Sequence, residues 1–292
     1  MNTLETFRQA QTLHHAGQLP QAAALYRDIL QAEPDHFDAL CMLALLEYQA
    51  GHGEESLRLL ERALAVNPDS VNVICNRGNV LIAMRRYEEA LASMDRAIAL
   101  QPDAAEIHFN RGVILQTLGQ PREALAAYER ALALKPGYAE AWLNRGNALD
   151  SLARTDEALA AYERATALKP ELAQAHFNRG NALRKIGRSE EALASYTRAL
   201  SVHPGYGEAW NNRGNILREL NRPGEALADY ERVLALKPDY AEAWLNRGIV
   251  LDALGRRDEA LASFERVLAL RPDHPEAHYC IALHRLLHGD FA

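Results

Sequence analysis

The chain has 292 residues, 48% hydrophobic and 24% charged, with a formal net charge of -7. That balance excludes a general nucleic-acid or membrane-surface binder, which needs a basic face, and no segment approaches the ~20 apolar residues of a membrane span. The start, MNTLETFRQAQTLHHAG, has no basic stretch followed by an apolar run, and three cysteines do not make a disulfide framework; reduced thiols and a cytoplasmic location are the expectation.

Prolines fall at 34, 68, 102, 136, 170, 204, 238 and 272, each 34 residues after the last. Such a period is settled before any other structural reading. With proline at position 32, eight units run 3–36, 37–70, 71–104, 105–138, 139–172, 173–206, 207–240 and 241–274. Residues 275–292 follow as a capping helix or the start of a ninth unit. Each unit reads as two helical runs around a break near position 15.

The first two units carry Ala10 and Ala44 at position 8 and apolar or thiol groups on a second face, namely Phe7, Cys41, Met42 and Leu45. The third continues this with Cys75 and opens a run of Asn-Arg-Gly triplets that recurs through the eighth unit. Position 8 is thus Gly78, Gly112, Gly146, Gly180, Gly214 and Gly248. Gly119, Gly187 and Gly255 mark the break, where a helix C-terminus tolerates glycine. Pro121 and Pro223 suit the first residue of the second helix. Thr155 and Ser189 are expected N-caps, and Glu123, Glu157 and Glu191 suit the positive end of that helix. Position 20 is alanine except at Ser56, and Tyr128, Tyr162, Tyr196, Tyr230 and Phe264 fill the space beyond. One helix pair cannot bury its apolar face alone, so neighbours must stack.

Trp142, Gly146, Ala158, Tyr162 and Pro170 show in one unit the pattern Trp at 4, Gly at 8, Ala at 20, aromatic at 24 and Pro at 32. This resembles the tetratricopeptide repeat over nearly the whole chain. Six units depart from it with arginine at position 7, where the family usually has leucine. The resemblance implies an all-α, right-handed superhelical solenoid of antiparallel helix pairs, with a protein or peptide partner in its concave groove. The position-6 asparagines also resemble the superhelical arm of peptide O-GlcNAc transferases and their bacterial relatives, as does the ending LHRLLHGDFA. The chain is then either an interaction scaffold or the recognition arm of a larger glycosyltransferase.

Positions 4, 8 and 11 form the inward stripe of the first helix, and positions 2, 5, 6, 9, 12 and 13 share another face. That face carries Asn76, Asn110, Asn144, Asn178, Asn212 and Asn246 at position 6, thickened by Asn79, Asn147, Asn181 and Asn215 at position 9. Packed helices lie about 8–10 Å apart and an extended peptide rises about 3.3 Å per residue, so three peptide residues span one unit. A carboxamide offers donor and acceptor alike and suits a peptide backbone. Solvation of the groove by copied asparagines explains the column equally. Arg184, Lys185 and Arg218 form a basic group able to receive an acidic side chain, or simply a solvated face. Arg77, Arg111, Arg145, Arg179, Arg213 and Arg247 read as a structural ladder whose partners the sequence does not name.

No phosphate-binding loop, nucleophile elbow or zinc Cys pair occurs, so no active site and no cofactor are expected. His284 and His288 have ligand spacing without a third ligand, and no metal is expected. His108 and His176 replace tryptophan as packing residues, and Cys41 and Cys75 lie too far apart for a bridge. In the last segment Ala282, at position 8, is expected to face inward. Leu283, Leu286, Leu287 and Phe291 then form an apolar face expected to be covered by a following domain or a second copy, the alternative being a tilted helix that buries the leucines on the last repeat.

Overall fold

The computed structural model describes residues 2–288, with side chains through Leu286. Its regular elements are helices: α1 (Thr3–His15), α2 (Leu19–Ala32), α3 (Phe37–Gln49), α4 (Gly53–Val66), α5 (Val71–Ala83), α6 (Tyr87–Leu100), α7 (Ala105–Thr117), α8 (Pro121–Leu134), α9 (Ala139–Ser151), α10 (Thr155–Leu168), α11 (Ala173–Lys185), α12 (Ser189–Val202), α13 (Gly207–Glu219), α14 (Pro223–Leu236), α15 (Ala241–Ala253), α16 (Arg257–Leu270) and α17 (Pro275–His288). No strand occurs among the described residues. None of these helices is long and apolar enough to cross a membrane.

The helices group into two compact units, Met1–Ala148 and Leu149–Ala292, divided within α9. In the first, α1 packs with α2, α3 with α4, α5 with α6 and α7 with α8, and each pair contacts the next through its second helix. The second unit repeats the scheme with α11 and α12, α13 and α14, and α15 and α16. This is an all-α repeat fold. Close approach within a pair depends on the glycine at position 8. A Cβ at Gly180 would sit 2.6 Å from the Tyr196 ring, and one at Gly214 would sit 2.8 Å from Tyr230. The tyrosine rings fill the space a side chain would otherwise need, and both are fully buried.

Every pair turns at position 15 through a left-handed residue. Gly187 and Gly255 have φ +75° there, and Arg85, Ala153 and Asn221 hold φ 60°, 59° and 56°. The turn shifts the second helix by one residue from the expected caps. Thr155 and Ser189 are the first helical residues, and the N-caps are Arg154 and Arg188, without a side-chain cap bond. Those arginines reach forward instead: Arg188 Nη2 donates to Glu191 Oε2 at 2.6 Å, and Arg222 and Arg256 pair likewise with Glu225 and Glu259.

Helix α17 packs on α16 through Ala277 and Ile281, which are buried. Ala282 is exposed, contrary to expectation. Position 8 faces inward only where a second helix covers it, and none follows α17 among the described residues. Tyr279, Leu283 and Leu286 are exposed with it. The Leu287 side chain and Phe291 lie outside the described residues.

Candidate functional site

At position 6, Asn144, Asn212 and Asn246 sit mid-helix with their carboxamides reaching the preceding pair, in surroundings set by its position-24 residue. Where that residue is tyrosine, its buried hydroxyl anchors a small polar network. In the second unit, Tyr196 Oη donates to Asn181 Oδ1 at 2.8 Å, and Asn212 Nδ2 donates to the same oxygen at 3.0 Å. Tyr230 Oη donates to Asn215 Oδ1 at 2.8 Å, and Asn246 Nδ2 approaches Asn211 Oδ1 at 3.4 Å. Asn178 accepts from Gln174 Nε2 at 3.0 Å. In the first unit, Tyr128 Oη donates to Gln116 Oε1 at 2.9 Å, with the Asn144 carboxamide against the same hydroxyl and Asn147 donating weakly to Asn144. Part of the asparagine column therefore satisfies buried tyrosines, since an unpaired buried hydroxyl is costly.

The early members differ. Leu60 and Met94 occupy position 24 in the second and third pairs and offer no hydroxyl. Asn76, Asn79 and Asn110 have no hydrogen-bond partner among the described residues, and the first two are exposed. Beside them lies a hollow of about 110 Å³, lined by Leu45, Tyr48, Leu60, Val80, Asn76 and Asn79. Sequence reasoning placed Leu45 on this face but missed the hollow. Its signal was leucine at position 24 together with Ser56 at position 20.

The basic group is already engaged in part. Arg184 Nη2 lies 2.9 Å from Glu219 Oε1 and Lys185 Nζ lies 2.6 Å from Asp150 Oδ2, so both hold carboxylates of neighbouring helices. Arg218 is exposed and has no ion-pair partner among the described residues.

The position-7 arginines acquire partners. Arg179 Nη2 reaches Glu163 on the preceding pair at 3.1 Å and its Nη1 donates to Ser195 of its own pair at 2.6 Å, 16 residues away in each direction. Arg111 and Arg145 hold Asp95 and Glu129 in the same backward sense. Arg77 and Arg247 donate forward to Ser93 and Ser263. Thr197 replaces the backward carboxylate for Arg213, and the forward position becomes Asp229, which Arg213 grips through two bonds of 2.6 and 2.8 Å. Burial still holds the Asp229 carboxyl above its ordinary range, against the pull of Arg213. Three of the guanidinium groups also lie over tryptophan rings, closest for Arg213 on Trp210 at 4.6 Å. The arginines thus form rungs between successive helices. At position 4, His108 and His176 do what tryptophan does elsewhere: a ring nitrogen bonds the proline carbonyl six residues back, at 2.8 and 2.9 Å, as Trp142 Nε1 does to Pro136 at 2.9 Å.

Nothing in this arrangement activates a nucleophile. Burial, then Asp38, pushes the Cys41 thiol up to about 11, and burial raises Cys75, so both thiols stay protonated at neutral pH. Cys41, Cys75 and Cys280 are free. No group of three metal-ligating residues occurs among the described residues. His284 faces Asp252 at 3.8 Å.

Tetratricopeptide-repeat family models match residues 13–74, 69–136, 114–173, 143–206, 177–241 and 217–283. The chain belongs to the tetratricopeptide-repeat family. Among solved structures, this tetratricopeptide-repeat chain is similar to YrrB, a TPR protein with an unusual peptide-binding site, at 26% identity and TM-score 0.58 over 64% of this chain and 96% of that one. It also resembles pilF of Pseudomonas aeruginosa, at 20% identity and TM-score 0.65 over 73% of this chain and 97% of that one. A tetratricopeptide repeat protein from Parabacteroides merdae matches at 19% identity and TM-score 0.61, over 85% of this chain and 98% of that one. The last two likenesses concern the fold alone. No curated protein matches the chain significantly.

Proposed function

We propose that this chain is a protein-interaction scaffold that holds an extended peptide or protein segment along the face lined by its first helices. The observation that carries the reading is the group of unengaged carboxamides on that face, Asn76 and Asn110 one repeat apart and Asn79 beside Asn76. Each can both donate to and accept from a peptide backbone. The solved structure of YrrB, named for its peptide-binding site, supports the same use of the fold. Free thiols suit a cytoplasmic setting. Replacing Asn76, Asn79 and Asn110 together with alanine is expected to weaken a selected peptide ligand at least tenfold, with the helical content kept because alanine is the better helix former. Unchanged affinity, read by fluorescence anisotropy, would sink the backbone-clamp reading.

A second reading is that the chain serves as the recognition arm of a larger glycosyltransferase. The exposed Tyr279, Leu283 and Leu286 on α17 favour it, because a following domain would cover them. Light scattering separates this from self-association. A chain that is monomeric both as it stands and with Leu283→Lys and Leu286→Glu has no second copy on that strip, whereas a dimer that dissociates on substitution rejects the missing-domain account.

A further inference from the structure

Three features set the hollow in the first unit apart from the pairs whose position 24 is tyrosine. Its space exists because position 24 is leucine: Leu60 is fully buried but shorter than the tyrosines that fill the equivalent place in α8, α12 and α14. Its floor is dry in the chemical sense. The Ser56 hydroxyl is already donated to the Ala44 carbonyl at 2.7 Å, and the other walls are Leu60, Val80, Leu45 and the Tyr48 ring. Its rim carries Asn76 and Asn79, exposed and without hydrogen-bond partners among the described residues. Leu45 and Tyr48 at its edge are partly exposed, at 36% and 37%.

Charge decides the kind of occupant. At positions 5, 6, 9, 12 and 13 of α3, α5 and α7, the stretch that borders the hollow, no residue is charged, and the acidic residues of this face, Asp38 and Glu106, stand at position 2, a turn or more toward the N-termini. The corresponding positions of α11 and α13 carry Arg184, Lys185, Arg218 and Glu219. A charged side chain entering the hollow would be desolvated with no counterion in its lining, which is costly. A neutral apolar one would gain by leaving water. Size narrows it further. An apolar cavity of about 150 Å³ accepts benzene, and this hollow is about 110 Å³. A branched aliphatic side chain, smaller than an aromatic ring, suits this smaller space.

We propose that the hollow between α3, α4 and α5 is a selectivity pocket that seats one valine, leucine or isoleucine side chain of an extended, locally uncharged peptide, with Asn76 and Asn79 holding the peptide's backbone amide at the rim. This rests on the peptide-binding reading above and deepens it: the carboxamides supply sequence-independent grip, and the pocket supplies the preference. Successive side chains of an extended peptide point to opposite sides, so a single pocket reads one residue while its chain neighbours face away.

The test uses the full chain and a phage-displayed library of short random linear peptides, followed by synthesis of the strongest isolate. The isolates are expected to share one aliphatic position, and its truncation to alanine is expected to cost roughly tenfold to a hundredfold in affinity. Filling the hollow by Leu60→Phe, or charging its rim by Leu45→Lys, is expected to cost a similar factor. The rim change touches a side chain already in solvent, so it reads the pocket even where the buried change disturbs folding. Binders that lose affinity with Asn76→Ala but tolerate both pocket changes and alanine truncation would overturn the pocket and leave the scaffold reading standing. A library that yields no binder, or binders indifferent to Asn76→Ala and to the pocket changes alike, would overturn both.

Discussion

Tyrosine at position 24 shows how much a single hydroxyl depends on the helix that follows it. Tyr196 and Tyr230 find asparagine oxygens, but Tyr26, equally buried, has no hydrogen-bond partner for its hydroxyl. The register explains the difference: Gln11 stands at position 9 of its own pair and Met42 at position 6 of the next, where Tyr196 has Asn181 and Asn212 and Tyr230 has Asn215 and Asn246. Tyr26→Phe is therefore expected to leave stability unchanged or raise it by about 1 kcal/mol or more, while Tyr196→Phe lowers it by about 1 kcal/mol. Urea titration of the two variants, compared for sign, checks this. Glu47 is a second local exception, a buried carboxylate where the other first helices of the eight pairs place leucine at position 11. It stands in for the missing arginine rung of that pair with the signs reversed: Arg27 on α2 and His52 bond Glu47 on α3. Burial pushes its carboxyl upward, but the bonds from His52 and Arg27 together outweigh it, and the net shift is below the ordinary value of 4.5. A depressed carboxylate stabilises the fold above its unfolded value and loses that contribution as pH falls through the folded one. Glu47→Leu is expected to be neutral or stabilising at pH 7, and to flatten the loss of thermal stability expected of the unsubstituted chain as pH falls below 4.5.

At the scale of the element, the turn at position 15 is the common device and its non-glycine members are its weak points. A left-handed residue with a Cβ costs roughly 1–2 kcal/mol, which asparagine offsets in part. Ala153→Gly and Arg85→Gly are expected to stabilise by about 1 kcal/mol each, Asn221→Gly by less, and Gly187→Ala to destabilise. Chemical denaturation of the four variants gives the order. Alternation of helix and break was readable from Pro136 and its equivalents, from Gly180 and its kin, and from Tyr196 and its kin, because each marks a local steric need that returns in every pair. The caps were not readable. Thr155 and Ser189 have the right side chains, but the left-handed residue fixes where the helix begins and leaves arginine at the cap. Nor did composition separate the tied asparagines from the free ones. Asn212 and Asn76 are the same residue at the same position, and only the preceding pair's Tyr196 or Leu60, which sets the neighbourhood, tells them apart.

For the whole molecule, stability comes from contacts between neighbours in sequence, so helices with one packed neighbour are expected to open first. Hydrogen exchange is expected to be slowest in α5–α8 of the first unit and α12–α14 of the second, and fastest in α1 and α17. Protection of α17 equal to that of α13 would contradict this and indicate that its exposed strip is covered in solution. The wider pattern was legible at this scale because eight copies repeat one pattern. The departures that carry chemistry (Leu60, Met42, Glu47, Asp229) are single breaks in the copy, and their meaning lies in what each removes from the next helix.

The arginine rungs bear on how such a chain changes length. Arg179 is tied to Glu163, 16 residues behind, and to Ser195, 16 ahead, and Arg111 and Arg145 to the partner behind. Splicing in or cutting out a whole 34-residue block at equivalent points restores a complete set of rungs at the junction, whereas any other increment leaves an arginine facing an apolar row. Copy number is thereby an adjustable quantity with one permitted step size. Recombination between like segments can lengthen or shorten the face lined by the first helices without inventing a new interface between pairs.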